Sequence, residues 1–520
     1  MSTGQEESII NRSKTRAPKQ DSDLTNHSTP PLFSFDNSFA HECEGLYVPW
    51  QPASVSAPQM VRFNRALAIT LGLNADRLDG PLGADLFSGN QIPEGAEPLA
   101  QAYAGHQFGG FSPQLGDGRA LLLGELIDCD GERRDLALKG SGRTPFSRGG
   151  DGKAPLGPVL REYLIGEAMH ALGIPTTRAL AVVTTGEPVY RDGATLPGAV
   201  LTRIAASHIR IGTFQYFAAR GELTHVRQLA RHVMARHYPM LQNQADGYLL
   251  LLRAMSERQA ALIARWMGVG FIHGVMNTDN MTLSGETIDY GPCAFMDAYD
   301  PSTVFSSIDA QGRYRYANQP VIAHWNIARF AEALLPLLHT DAETARFLAT
   351  EVVDAFPGQY QRHWLALMRR KLGLCTTESD DLALVEDFLA TLEGQQVDFT
   401  LAFRYLAQAV LGNEAPLRSL WREPTAIAAW LTRWQARIAR DSVAPSEHAA
   451  LQNQVNPAYI PRNHQVEMAL AAAVEQGDLN PFERLLAVLL RPFEEQPGAD
   501  AYALPATPAQ AAGYCTFCGT

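Results

Sequence analysis

The pattern of hydrophobic and polar positions divides the chain into a strand-rich first half and a helix-rich second half. Between about residues 100 and 205, short apolar runs alternate with turns rich in glycine and aspartate, which is typical of strands. After about residue 220, apolar residues recur instead at the spacing of one helix face. We predict strands at 120–124, 135–139, 179–184 and 199–204.

One helix interrupts the strand-rich half at residues 157–172, where Gly173 and Pro175 supply the signals that end a helix. In the second half, two apolar stripes predict further helices. They comprise Leu251, Met255, Leu262 and Trp266, and then Leu382, Val385, Leu389 and Leu392.

A β-rich part followed by an α-rich part predicts an α+β fold with two lobes and a ligand bound between them. We expect a disordered polar tail at residues 1–29, because this stretch has few large apolar residues. The predicted organisation continues with a β-rich N-lobe at 30–205, an enlarged helical C-lobe at 206–500 and a C-terminal tail at 501–520.

Composition narrows the class of protein. The 520 residues are 46% hydrophobic and 19% charged, as in ordinary globular proteins. The net charge of -12 argues against nucleic acid as a partner, because nucleic-acid binding usually leaves a basic footprint, although a local basic pocket for phosphates is compatible with it. The sequence contains neither a membrane-spanning apolar run nor the apolar core of a signal peptide. We therefore expect a cytoplasmic protein with no membrane partner. The sequence carries no signal of oligomeric state, for which we expect a monomer.

The first chemical candidates lie in the strand-rich half. The Gly-Asp-Gly sequence at 116–118 is typical of a hairpin turn, and it also suits a loop that covers phosphates. Lys139 ends an alternating strand, and Glu162 follows 23 residues later in the predicted helix. In kinases, a strand lysine that grips nucleotide phosphates is positioned by a helix glutamate. The order of glycine loop, lysine and glutamate therefore favours a nucleotide site over an ordinary turn and two surface residues.

The segment at 273–292 is the most informative part of the chain, and we predict that it binds metal and carries out catalysis. Kinase-like enzymes carry a His-x-Asp, an Asn five residues after that Asp, and a later Asp-x-Gly that holds magnesium. Here Asn280 stands five residues after Val275, and Asp289 begins the second motif. Carboxylate and amide oxygens suit Mg²⁺, a hard cation. The alternative is a polar loop that caps two helices.

Val275 stands where a phosphotransferase has its catalytic aspartate. A valine side chain cannot accept a substrate proton, which argues against ordinary phosphotransfer. Asp279, one residue before Asn280, is the nearest carboxylate that could act as the base.

Basic residues offer further phosphate contacts. Arg203 and Arg210 lie seven residues apart at the junction of the two halves, where they are either unrelated surface residues or a pair that clamps phosphates. The glycine-rich stretch at 140–152 is suited to anions, and it could equally be a flexible loop.

The assembled pattern resembles the selenoprotein O (YdiU) family of kinase-like protein adenylyltransferases. The resemblance extends from about residue 30 to the C-terminus. It rests on motifs at 101–110, 114–119, 138–140, 147–152, 173–180, 273–281 and 289–292.

The resemblance implies a two-lobed protein-kinase-like fold that binds ATP in a flipped orientation and transfers AMP to Ser, Thr or Tyr hydroxyls of proteins. It also implies that Asp279 accepts the proton, that Glu162 pairs with Lys139, and that Asn280 and Asp289 hold Mg²⁺ or Mn²⁺. UMP transfer from UTP is a further activity within the family. The nucleotide contacts that it implies are Gly116, Gly118, Arg119, Lys139, Asp151, Gly152, Arg203, Arg210 and Asp289.

Two other functions remain open at this point. A conventional phosphotransferase would need an unusual base in place of Val275. A catalytically inert pseudokinase that binds ATP as a scaffold usually loses the lysine or a metal ligand, whereas this chain keeps them. Family members also carry a selenocysteine or cysteine near the C-terminus. Here Cys515 and Cys518 either pair with each other or form a reduced tail, and 300–316 offers no cysteine partner.

Overall fold

The computed structural model of the chain describes residues 31–191 and 193–517. The predicted disordered tail at 1–29 and the residue Cys518 lie outside the described residues. Within them, a region containing a β-sheet precedes a helical region, so the prediction of a mixed fold with strands first and helices second is confirmed.

The described strands are β1 (Tyr47–Pro49), β2 (Gln59–Phe63), β3 (Leu99–Gln101), β4 (Gly105–Gln107), β5 (Gly110–Ser112), β6 (Ala120–Ile127), β7 (Arg133–Lys139), β8 (Ala154–Pro155), β9 (Arg178–Arg191), β10 (Ala194–Ala205), β11 (Phe271–Ile272) and β12 (Ala294–Phe295). Antiparallel pairing builds one large sheet in the order β1-β3-β6-β7-β10-β9-β2, and β8 pairs with β10. The four predicted strands are confirmed as β6, β7, β9 and β10, although β9 and β10 continue beyond the predicted ends because they form one long hairpin.

Helices make up most of the chain after β10, and none that the structure describes is long and apolar enough to cross a membrane. They are α1 (Ser38–Glu42), α2 (Arg65–Thr70), α3 (Ala75–Leu78), α4 (Pro81–Ser88), α5 (Leu156–Ala171), α6 (Ile211–Ala218), α7 (Leu223–His237), α8 (Gly247–Gly268), α9 (Gln319–Leu338), α10 (Ala342–Leu372), α11 (Asp381–Leu392), α12 (Phe399–Arg404), α13 (Leu406–Val410), α14 (Ala415–Arg418), α15 (Ala428–Ile438), α16 (Pro445–Asn453), α17 (Asn463–Glu475), α18 (Asn480–Leu489), α19 (Asp500–Ala503) and α20 (Pro508–Ala511). Short 3₁₀ turns occur at Pro239–Leu241, Thr278–Asn280 and Tyr316–Asn318.

The two predicted apolar stripes fare differently. All four residues of the first stripe are buried in α8. The second stripe correctly predicts α11 but not its buried face, because Leu382 and Leu389 are only half-buried. The buried face of α11 is the one that packs on Trp430 of α15. The Trp430 ring lies 4.4 Å from that of Phe388, and its Nε1 donates to the Leu384 carbonyl at 2.8 Å.

Helix α5 carries part of the candidate site into the interior of the protein. It packs on β9 and β10 on one side and on α17 and α18 on the other, so that few of its residues reach solvent. A side chain at Gly166 would place its Cβ 3.2 Å from the Thr177 carbonyl, which explains the close approach of helix to strand at that point. Gly173 follows the helix with φ 74°, the left-handed conformation that favours glycine. The prediction of a helix at 157–172 is confirmed within one residue at each end.

Because α5 is enclosed, truncating its core residues should cost stability. We expect Leu160→Ala, at a fully buried position, to lower the free energy of unfolding by about 2–5 kcal/mol through lost burial and a residual cavity. Leu411→Ala, at a position 59% exposed, is the matched control and should change it by about 0.5 kcal/mol or less. Urea titration followed by tryptophan fluorescence measures both values. Equal effects at the two positions would contradict the packing of α5.

Candidate active site

A cleft of about 660 Å³ lies among strands β6, β7 and β10, the two glycine-rich loops and the segment at 273–292. Its volume is within the usual range for small-molecule sites. The structure brings nearly every residue of the predicted site to this cleft, and the remaining one, Glu162, contacts a lining residue. The predicted residues that line it are Gly116, Gly118, Arg119, Lys139, Asp151, Gly152, Arg203, Arg210, Asp279, Asn280 and Asp289.

Lys139 connects the sheet to both α5 and the 273–292 segment. It is the last residue of β7, and its Nζ lies 2.5 Å from Glu162 Oε2 and 2.8 Å from Asp289 Oδ1. Lys139 and Glu162 are both buried, so each charge depends on the other for compensation. The pairing implied by the family resemblance therefore exists as a contact in this chain.

Asp289 receives three cations. Arg203 Nη1 lies 2.7 Å from Asp289 Oδ1, Arg210 Nη1 lies 3.4 Å from Oδ2, and Lys139 makes the contact already described. Burial alone would raise the pKa of Asp289, but these three cations hold it well below its ordinary value. Arg203 lies near the end of β10 and Arg210 immediately precedes α6, so the turn between them brings both guanidinium groups to one carboxylate. This convergence favours the phosphate-clamp interpretation over two unrelated surface arginines.

The segment around Asp289 is fixed from behind by buried hydrogen bonds. His273 Nε2 donates to the Ile288 carbonyl at 2.9 Å, and Trp266 Nε1 of α8 donates to Thr287 Oγ1 at 2.9 Å. Asp289 itself has φ 63°, an unusual conformation for a residue other than glycine. Strain of this kind is retained where the surroundings hold it in place, and it occurs often at functional sites.

Asn280 and Asp289 offer hard oxygen ligands to a cation. Asn280 lies in the 3₁₀ turn, and its Nδ2 donates to the Val275 carbonyl at 2.9 Å. This bond uses the nitrogen of the amide, and no hydrogen bond among the described residues uses its oxygen. One carboxylate and one amide oxygen fit Mg²⁺ or Mn²⁺, which keep water and phosphate oxygens as their other ligands.

Asp279 differs from Asp289 in its surroundings. It is buried, and its Oδ1 has no hydrogen-bond partner among the residues that the structure describes. Its Oδ2 has one weak contact, with Gln107 Nε2 at 3.4 Å. Burial raises the pKa of Asp279 to about 6, although the charge of Arg210 acts against the rise. A lining carboxylate with an unused oxygen and a pKa near neutrality has the properties of a general base. Val275, which also lines the cleft, has none of them.

The hairpin formed by β4 and β5 holds Asp279 in place. The His106 N–H donates to Thr278 Oγ1 at 2.7 Å, and the Phe108 N–H donates to Asn277 Oδ1 at 3.1 Å. A side chain at Gly105 would place its Cβ 2.3 Å from Asp279 Oδ1, so glycine is needed at this approach. The motif at 101–110 contributes to the family resemblance, but the sequence did not indicate that it packs against Asp279.

The first glycine-rich loop is not a hairpin turn, so that interpretation of 116–118 is wrong. Strand β5 pairs with β4, whereas β6 pairs with β3 and β7. Phe146 of the second loop packs on these glycines instead, and a Cβ on Gly116 would lie 2.3 Å from its ring. A Cβ on Gly118 would lie 2.9 Å from the Phe146 carbonyl oxygen. The glycines therefore let one cleft-lining loop pack against the other.

The second loop contains Asp151 and Gly152. Arg191 donates to both carboxylate oxygens of Asp151, at 2.9 and 2.7 Å, and this contact lowers the pKa of Asp151. Gly152 has φ 69°, and a Cβ there would lie 2.0 Å from the Gly142 carbonyl oxygen. Asp151 thus fixes an arginine at the cleft, and Gly152 closes the loop.

The lining of the cleft is basic although the chain is acidic. Among the described residues that line it, eight are lysine or arginine and three are aspartate. Sequence reasoning identified half of the basic ones. It missed Arg143, Arg148, Lys153 and Arg191, of which the first three lie in or next to the glycine-rich stretch at 140–152. Such a concentration of positive charge suits the phosphates of a nucleotide.

None of the cysteines that the structure describes lines the cleft. Cys293 is buried, which raises the pKa of its thiol to about 12, and Cys515 is exposed and forms no disulfide with any cysteine that the structure describes. Next to Cys515, the Thr516 carbonyl accepts from the Ser307 N–H at 2.9 Å, so the end of the described chain lies against the segment that follows Asp289. The predicted alternatives for Cys515 and Cys518 stay open, because Cys518 is outside the described residues.

A second group of metal-ligating side chains, formed by Cys375, Asp441 and His448, lies in the helical region. His448 Nδ1 donates to the Gly373 carbonyl at 2.9 Å, and Arg437 Nη1 lies 3.0 Å from Asp441 Oδ1. These contacts engage Asp441 and one ring nitrogen of His448, whereas His448 Nε2 has no hydrogen-bond partner among the residues that the structure describes.

Comparison with known proteins agrees with this site. The model of the family described as protein adenylyltransferase SelO matches residues 32–490. The protein nucleotidyltransferase YdiU of Cereibacter sphaeroides (strain KD131) is 61% identical over 488 residues, which cover 94% of this chain and 100% of that protein. The proteins of the same name from Rhizobium rhizogenes (strain K84) and Rhizobium meliloti (strain 1021) are 57% and 58% identical over 500 and 490 residues. These matches cover 95% and 94% of this chain and 99% of each relative.

Such matches extend over nearly the whole chain, and they include every residue of the predicted site. The order of the motifs, the cleft that gathers them and the relatives of similar length lead to one conclusion. The chain belongs to the SelO/YdiU family of protein adenylyltransferases.

Proposed function

We propose that this chain transfers AMP from ATP to Ser, Thr or Tyr hydroxyls of proteins at the cleft, with release of pyrophosphate. One observation carries the proposal. Val275 occupies the position of the catalytic base of a kinase. Asp279, a buried carboxylate with one oxygen that has no hydrogen-bond partner among the described residues, lies in the same cleft as Asp289, which three cations contact. The family description and the names of the relatives, protein nucleotidyltransferase YdiU, support it.

We also propose that the fold is that of a protein kinase, with an N-lobe at 30–205, an enlarged C-lobe at 206–500 and a C-terminal tail at 501–520. The contact between Lys139 of β7 and Glu162 of α5 supports this proposal, because a strand lysine paired with a helix glutamate is a hallmark of kinases. Lys139 also contacts Asp289, the proposed metal ligand, and this second contact supports the same proposal.

In the proposed reaction, the acceptor hydroxyl oxygen attacks the α-phosphorus of ATP. A new P–O bond forms, the bond from the α-phosphorus to the bridging oxygen of pyrophosphate breaks, and the hydroxyl proton passes to the Asp279 carboxylate. Lys139, Arg203 and Arg210 hold phosphate oxygens and neutralise the developing charge. Asn280 and Asp289 would hold Mg²⁺ or Mn²⁺, which supplies further neutralisation of the triphosphate. The basic residues of the second loop suit outward β- and γ-phosphates of a flipped nucleotide.

Two alternatives make different predictions. A conventional phosphotransferase would move the γ-phosphate, and an inert pseudokinase scaffold would bind ATP without transfer. UTP as the donor of UMP is a variant of the proposed reaction. Neither the cytoplasmic location nor the monomeric state is tested by the structure, and both stay predictions.

Labelled nucleotides separate these functions. Incubation of the protein with magnesium and ATP labelled at the α- or at the γ-phosphate should place label in protein from α-labelled ATP alone. Lys139→Ala and Asp289→Ala should abolish it, because the first removes a cation that holds the phosphates and the second removes the carboxylate proposed to hold the metal ion. Label from γ-labelled ATP alone would support a conventional kinase, and label from neither with ATP binding intact would support the scaffold. Excess unlabelled UTP measures the competition from UMP transfer.

Asp279→Asn should abolish transfer and yet stabilise the protein. Burial raises the folded-state pKa of Asp279 from 3.8 to about 6, so the ionised form destabilises the folded state above pH 6 and has no such effect below pH 4. The neutral amide removes this cost, and we expect a gain of about 2 kcal/mol at pH 8, with a smaller gain at pH 5. Urea titration in EDTA without nucleotide measures it. A loss of stability at pH 8 would contradict the described surroundings of Asp279.

Asn280→Ala should weaken the metal site without removing it, because Asp289 remains. We expect the magnesium concentration for half-maximal transfer to rise at least about tenfold, with partial recovery at saturating metal. Asn413→Ala, at an exposed position in the helical region, is the matched control and should leave the magnesium dependence unchanged. Identical magnesium titrations for Asn280→Ala and wild type would exclude the amide as a ligand.

A further inference from the structure

Behind Arg203, on the side away from its contact with Asp289, lies a buried histidine to which the sequence gave no role. His208 stands between β10 and α6 and is 3% exposed. Its Nε2 lies 3.2 Å from Arg203 Nε, and its Nδ1 lies 2.8 Å from Asp135 Oδ2. The backbone N–H of His208 donates to the same carboxylate oxygen at 2.8 Å. A line of contacts therefore runs from Asp135 through His208 to Arg203.

The chemistry of these contacts fixes the state of the imidazole. An arginine Nε–H can only donate, so Nε2 of His208 must accept. The proton then resides on Nδ1, where the Asp135 carboxylate accepts it. Asp135 is itself held by Arg236, whose Nη2 lies 2.5 Å from Oδ1. His208 is thus a neutral acceptor in one defined tautomer, set by a carboxylate that is already anchored.

Arg203 is the residue that this arrangement orients. Its guanidinium group is planar, so fixing Nε fixes the direction in which Nη1 points. Nη1 is the atom that contacts both Asp289 Oδ1, at 2.7 Å, and Glu162 Oε1, at 3.1 Å. Without an acceptor behind it, the group could rotate about its side-chain bonds while still facing the two carboxylates.

We infer that His208 is a positioning residue for the nucleotidyl transfer, which acts by accepting a hydrogen bond from Arg203 Nε and so aiming Nη1 at Asp289 and the phosphates. The inference rests on the proposed function of Arg203 at the nucleotide site. It assigns Asp135 the supporting role of holding the Nδ1–H tautomer. His208 touches neither substrate nor reacting atoms, so its effect is expected through Arg203 alone.

A purely structural role is the competing explanation, in which His208 only joins the turn before α6 to Asp135 of β7. Two substitutions separate the explanations. In His208→Asn, the amide can still reach Asp135 but no acceptor reaches Arg203 Nε. In His208→Gln, the longer side chain can place its amide oxygen near the former position of Nε2. A structural role predicts that Asn is tolerated at least as well as Gln, whereas the positioning role predicts the reverse.

The experiment measures kcat/KM for ATP in transfer of α-phosphate label, with the thermal unfolding of each variant recorded alongside. We expect His208→Asn to lose about tenfold or more and His208→Gln to stay within about threefold of wild type. Should His208→Asn fail to fold, His208→Ser, which also lacks the acceptor, takes its place. Equal losses in the acceptor-free and the Gln variants would overturn the inference.

Double variants with Arg203→Lys test whether His208 acts through Arg203. Lys cannot contact His208 and Asp289 through two separate nitrogens, so Arg203→Lys removes the interaction from the other side. In that background we expect His208→Asn and His208→Gln to have the same kcat/KM within about twofold, because no Nε–H remains to be accepted. An undiminished difference between them would overturn the inference alone. Wild-type activity of Arg203→Lys by itself would instead refute the proposed role of Arg203, and the inference with it.

Discussion

The shared carboxylate of Asp289 is the interaction on which the rest of the site depends. Its cations come from the end of β7, the last residues of β10 and the residue before α6, and Glu162 of α5 contacts two of them, Lys139 and Arg203. Removing one of these charged residues would leave the others with uncompensated charge in a poorly solvated place. The free-energy penalty of such a buried charge exceeds the net stabilisation that the intact ion pair provides. These contacts therefore join the sheet, helix α5 and the 273–292 segment at one place. That place borders the cleft where a triphosphate would lie.

The contrast between the surroundings of Asp289 and Asp279 supports the different roles proposed for them. Both line the same cleft, yet three cations hold the pKa of Asp289 low, whereas burial with weak compensation raises that of Asp279 to about 6. A carboxylate that stays ionised suits a metal ion, and one that titrates near neutrality suits proton transfer. The hairpin of β4 and β5 maintains this difference, because it encloses Asp279 and offers it a single weak donor, Gln107. Catalytic capacity here has a cost in stability that the surrounding contacts must offset.

Local patterns predicted the elements well, and they failed wherever a distant residue decided the outcome. The strands around Lys139 and the helix around Glu162 follow from alternation and stop signals within a few residues. The loop at 116–118 was open to a hairpin interpretation because its real neighbour, Phe146, comes from another loop. The buried face of α11 depends on Trp430, 46 residues from the Leu384 carbonyl that it contacts. His208 and Asp135 are 73 residues apart, so no local motif reveals their contact.

The distribution of charge explains how an acidic protein can select a compact anion. The chain as a whole carries a net charge of -12, which repels long polyanions, but at physiological salt the field of its surface charges fades over about 8 Å. The eight basic side chains of the cleft act at contact distance, and Lys139, Arg203 and Arg210 among them are buried, so salt screens them far less. A triphosphate small enough to enter the cleft meets their full attraction, whereas a nucleic-acid strand meets mainly the outer surface. In the proposed reaction, the same basic lining would serve both the binding of the triphosphate and the stabilisation of charge as pyrophosphate departs.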